Sequence, residues 1–132
     1  MSDTITIEIP MTAEDRRRVR RMIEAPDGVR FPLELATGTI LQPGQILHRS
    51  GPRAYVVAAA SEDVLVARPR DIAEAARVGH LIGNLHRDIE VSGSEIVALA
   101  DAALAERLRR ANVPVVEDRR AFHGRASGEH AH

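Results

Sequence analysis

Apolar and polar positions alternate at a period of two through most of the first half of the chain, the pattern of half-buried strands. "TITIEI" (4–9) alternates cleanly. "VRFPLEL" (29–35) puts Val29, Phe31, Leu33 and Leu35 on one face, with Pro32 marking an edge strand. Asp27-Gly28 has the turn chemistry of a hairpin, and Pro43-Gly44 in "LQPGQIL" reads as a type II turn. "RAYVVAAA" and "DVLVAR" are two further strands, separated by Ser61-Glu62. "TAED" (12–15) resembles a capping box, but "RRRVRR" (16–21) has no apolar stripe behind it. A single helical turn is predicted there, with the arginines as a solvated face.

The period then changes. Asp71 is placed to cap a helix over "IAEAARV", ended by Gly79. "LHRDIEV" and "EIVALA" pair across "SGS" as a hairpin. Asp101 caps "AALAERLRRA", with Leu104 and Leu108 on one face and Asn112 as the stop; "VPVVED" is a last strand. From "DVLVAR" onward the order is β-α-β-β-α-β, a ferredoxin-like arrangement. The predicted class is α+β: an all-β N-terminal domain over residues 1–62, a ferredoxin-like domain over 63–120, and an aperiodic, mobile tail over 121–132.

Composition narrows the chemistry. Aromatic residues are 2% of the 132, so the cores are aliphatic and small, which favours oligomerisation. A net charge of −1 argues against nucleic acid as a partner. With no cysteine, disulfides, thiolate nucleophiles and cysteine metal sites are excluded. The start "MSDTITIEIP" lacks signal-peptide character and no apolar run is long enough to span a membrane, so a cytoplasmic protein is expected. No nucleophile elbow or phosphate-cradling loop is present, and no enzymatic activity is expected.

The histidines carry more. Of six, His123, His130 and His132 fall in the last ten residues, a composition that suits capture of nickel, zinc or copper or, equally, a solvated terminus. His80 and His86 are six apart and do not fit the i, i+4 pair of a zincin helix. His86 by itself reads as a surface residue at a strand start, and His48 as a structural mid-strand residue.

"IGNLH" (82–86) resembles the Gly-Asn-Arg-His motif of the UreE family of urease accessory proteins, with Leu85 where arginine is usual. The Arg-rich start, the "DG" turn, "GTIL" and "PGQIL" are similar to that family's N-terminal segment, so the likeness covers the whole chain. The resemblance implies a homodimeric nickel metallochaperone for urease, working with the urease apoprotein and other accessory proteins, a GTPase among them. It implies His86 as the central metal ligand, with zinc and copper as competitors. His80 is one residue out of step with the histidine that precedes the motif in many members. Asp101-Ala102-Ala103 stands where some carry further histidines, and His123 replaces the proline and glutamate that often follow the late phenylalanine. The alternative is a protein–protein adaptor in urease maturation whose metal site has decayed. On this reading Gly83 and Asn84 supply the positive-φ turn into the strand, and His86 points outward at the sheet rim. Two copies of His86 across a dimer axis, completed by tail histidines, then form an open, exchangeable site.

Overall fold

The computed structural model describes residues 3–126, and the chain divides into two compact units, 1–60 and 61–132.

The first unit is β-rich. Its elements are β1 (Ile5–Met11), a single 3-10 turn (Asp15–Arg17), β2 (Arg20–Glu24), β3 (Arg30–Glu34), β4 (Ile46–Ser50) and β5 (Arg53–Ala59). β5 is central in a three-stranded sheet, parallel to β1 and antiparallel to β4, while β2 and β3 form a two-stranded antiparallel hairpin. Alternation places Ile9 and Met11, Ile23, Phe31 and Leu33, and Tyr55 and Val57 in one core, with Val29 and Leu35 packed against it. The Asp27 turn is tied down at both carboxylate oxygens. Oδ1 accepts the Val29 N–H at 3.1 Å, and Oδ2 accepts the Tyr55 hydroxyl at 2.8 Å and the Arg53 guanidinium at 2.9 Å. Gly44 at φ 94° and the Gln45 N–H to Gln42 carbonyl bond of 3.0 Å form the type II turn. His48 stacks on Phe31 at 4.5 Å, a packing role.

One expectation fails here. The arginine run is not wholly solvated: Arg16 is 1% exposed and its guanidinium donates to the Met11 carbonyl at 2.7 Å. Thr12 and Asp15 bond reciprocally, each N–H to the other's side chain (3.1 and 3.0 Å), and this closes the turn that swings Arg16 inward.

The second unit comprises β6 (Ser61–Ala67), α1 (Ile72–Asn84), β7 (Glu90–Ser92), β8 (Glu95–Leu99), α2 (Ala102–Arg110) and β9 (Val115–Ala121). Sheet order is β7-β8-β6-β9 with every neighbour antiparallel, the ferredoxin-like topology. Ser61 and Glu62 are the first residues of β6 rather than a linker, because they pair with Ala121 and Arg120 of β9. Leu65 and Ala67 of β6 and Ile96 and Ala98 of β8 meet Val78 and Ile82 of α1 and Leu104, Ala105 and Leu108 of α2. Truncating Leu104 or Leu108, which are 0% and 1% exposed, to alanine would cost about 2–5 kcal/mol each.

Candidate metal centre

The site is built at the far end of α1. Asp71 caps its start, accepting the Glu74 N–H at 2.7 Å. The helix does not stop at Gly79 but runs to Asn84. A mid-helix glycine costs about 1 kcal/mol, and burial of Val78 and Ile82, each 1% exposed and four residues apart, holds the helix through it. Gly83 and Asn84 are therefore helical, and the positive φ expected of them falls on His86 instead, at 57°. The His86 N–H reaches the Gly83 carbonyl at 2.9 Å and the Arg87 N–H reaches the Ile82 carbonyl at 3.3 Å. That pair of bonds is the Schellman closure, with His86 at the left-handed position that glycine usually fills. His86 is thus an exposed residue of the helix cap, not the start of a strand; β7 begins at Glu90.

The turn is fastened on both sides. Arg87 donates to Asp101 at 2.5 Å, and the same carboxylate caps α2 by accepting the N–H groups of Ala103 (2.7 Å) and Leu104 (3.1 Å). The Arg87 hydrogen bond, then the Leu104 N–H, hold the Asp101 carboxyl below its ordinary range. Further along, Asp88 accepts the Arg125 N–H at 2.6 Å. Glu90 accepts the His123 N–H at 3.0 Å and meets that ring's Nδ1 at 3.0 Å. Phe122 is fully buried and Ala126 is 5% exposed, so residues 122–126 form a strap pinned to the His86 loop rather than part of a loose tail. At Gly124 an added Cβ would lie 2.5 Å from the Phe122 ring and 3.0 Å from Asp88, so only glycine fits the strap there.

The candidate ligands separate accordingly. His86 is exposed on the cap, and His123 is held by Glu90 on the strap. His80 sits on the exposed face of α1, its Nε2 3.2 Å from the Asn84 side-chain nitrogen, beside a cleft of about 320 Å³ lined by Arg77, Leu81 and Val113. His130 and His132 lie outside the described residues. Among the described residues no three histidine or carboxylate side chains are grouped as a metal cage. The donors available are imidazoles, which suit a late divalent metal such as nickel, but a full coordination shell needs more of them than one chain's described residues gather. Sequence reasoning missed Glu90, Asp88 and the Arg87–Asp101 tie. Nothing local in the sequence signals contacts that span 33 and 37 residues.

The C-terminal domain of the UreE urease accessory protein family matches residues 62–132, from the second residue of β6 onward. Likeness extends through both units. The urease accessory protein UreE of Synechococcus sp. (strain JA-3-3Ab) is 52% identical over 126 residues, covering 96% of this chain and 85% of that protein. The chain belongs to the UreE family. UreE of Deinococcus radiodurans is 48% identical over 124 residues, covering 94% of this chain and 80% of its own length. UreE of Nostoc punctiforme is 29% identical over 132 residues, covering 98% and 89%. As a UreE-family member the chain is a urease accessory protein, a role in urease maturation distinct from that of an enzyme. No helix among its described residues is long and apolar enough to cross a membrane.

Proposed function

We propose that this chain is a nickel metallochaperone that delivers the metal for assembly of the urease active site, acting as a cytoplasmic homodimer. Nickel is its cargo, and zinc and copper are competitors for the same nitrogens. Its partners are the urease apoprotein and other accessory proteins, including a GTPase, with the first unit as the partner-binding domain and the second carrying metal and dimer axis. The observation that carries this reading is the exposed imidazole of His86, held in a left-handed cap within a UreE-family domain. One imidazole cannot retain nickel, so two copies of His86 meet across a twofold axis. His123, His130 and His132 complete the shell, and His80 is the outlying candidate. Leu85, in place of the motif arginine, packs against the core of the second unit, so the departure alters the packing side of the turn rather than its ligand side.

Calorimetric titration with nickel tests it. The wild type should bind one nickel per two chains. His86→Ala should lose at least about tenfold in affinity, or about 1.4 kcal/mol, while its thermal midpoint stays near wild type because the ring is exposed. Equal affinity in wild type and variant would leave the adaptor reading standing.

A further inference from the structure

We propose that Glu90 is a positioning residue that prepares His123 as a nickel ligand through Nε2, an inference that rests on the metallochaperone reading. Glu90 uses both oxygens on one residue: Oε1 accepts the His123 main-chain N–H and Oε2 lies 3.0 Å from Nδ1 of its ring. An ionised carboxylate can only accept hydrogen bonds, so the hydrogen of the neutral ring resides on Nδ1 and the lone pair on Nε2. The His123 side chain is 52% exposed while that of Glu90 is 27% exposed, so the carboxylate holds the inner edge of a ring whose remainder meets solvent. A carboxylate on one imidazole nitrogen, with the other free to coordinate, fixes tautomer and ring orientation and raises ligand basicity. The strap keeps that ring in register with the loop that carries His86. Asp88 and Glu90 bond alternate main-chain N–H groups, of Arg125 and His123, and Phe122 anchors the segment in the core.

His80 differs at its other nitrogen. The Asn84 amide nitrogen donates to its Nε2, which occupies that lone pair and leaves the ring hydrogen on Nδ1. Of these two rings, the geometry selects His123.

The experiment uses the full-length protein in two measurements. Long-range nitrogen–proton correlation of the histidine rings, recorded without metal at pH 7.5, should show His123 with its hydrogen on Nδ1 alone. Glu90→Gln keeps an acceptor for the main-chain N–H but turns an amide NH2 toward the ring, and the hydrogen should move to Nε2. Nickel titration should then show a ten- to hundredfold weaker affinity for Glu90→Gln. The same loss is expected for His123→Ala, with none added by Glu90→Gln in that background. A wild-type ring bearing hydrogen on Nε2, alone or on both nitrogens, overturns the proposal. So does a Glu90→Gln chain that binds nickel as tightly as wild type, with the metallochaperone reading intact. A wild-type chain that binds no nickel overturns both.

Discussion

The two helices of the second unit end with the same pair of backbone bonds and close them with different chemistry. At the end of α2, Asn112 takes φ 61°, its N–H reaches Arg109, and Val113 beyond it bonds back to Leu108 and is 8% exposed. At the end of α1, His86 takes φ 57° and the next residue is Arg87, which turns to the Asp101 carboxylate. The first end is sealed by an apolar contact, the usual companion of this motif, with the Arg70 guanidinium also on the Asn112 carbonyl at 2.6 Å. At the second the residue beyond the turn is itself charged, and its seal is an ion pair with the carboxylate that caps α2. Left-handed backbone costs a non-glycine residue roughly 1–2 kcal/mol, less for asparagine and histidine, which visit it more readily than most. Strain of this kind persists only where the surroundings over-determine it. The Arg87–Asp101 tie and the strap on Asp88 and Glu90 are those surroundings, and an exposed imidazole is what they hold in place.

Removing the tie should have the largest effect. Asp101→Ala deletes the α2 cap and leaves Arg87 without its carboxylate, for a loss of about 2 kcal/mol in urea unfolding. Asp71→Ala, which removes a cap alone, should cost about 1 kcal/mol. Hydrogen exchange should then show the His86 and Arg87 amides opening in Asp101→Ala while those of Asn112 and Val113 stay protected. Equal opening at both helix ends would erase the contrast.

Acid should reproduce part of that loss. The Asp101 carboxyl is held below its ordinary range by Arg87, and Glu74 by the Arg70 hydrogen bond at the other end of α1. Both pKa values are depressed in the fold. Their stabilisation is complete above the unfolded carboxylate range, near ~4, and is lost as pH falls through the lower folded values. Exchange at the His86 turn should therefore accelerate below about pH 4, relative to each amide's intrinsic rate, as Asp101 releases Arg87.

The smallest effects come from glycine. His86→Gly relieves the left-handed penalty and should raise stability by up to about 1 kcal/mol while weakening nickel binding. Asn112→Gly should change stability by no more than about 0.5 kcal/mol. Chemical denaturation of the pair reads this directly; a destabilised His86→Gly would mean the ring is held for packing rather than for its nitrogen.

Much of this was legible in the chain. Alternation located the strands of the first unit, Asp71 and Asp101 announced both helices, and Asn112 announced the end of one. Gly79 misled because glycine marks helix ends only where tertiary burial does not carry the helix onward, as Val78 and Ile82 do here. Arg16 misled because charge predicts exposure, and a main-chain acceptor at Met11 reversed it.

The features written in the string alone are local or inherited: the period of each segment, the caps, the turn residues, the imidazole at position 86 and the kinship with UreE proteins. Those follow from contacts within a few residues, or from a motif read as a string. The tertiary structure decided which residue bears the positive φ and which carboxylate holds which ring. It also decided that β9 carries the chain back along β6, so that Phe122–Arg125 lies against Asp88 and Glu90. Such pairings join residues more than thirty positions apart, and sheet order, to which no local pattern is sensitive, brings them together.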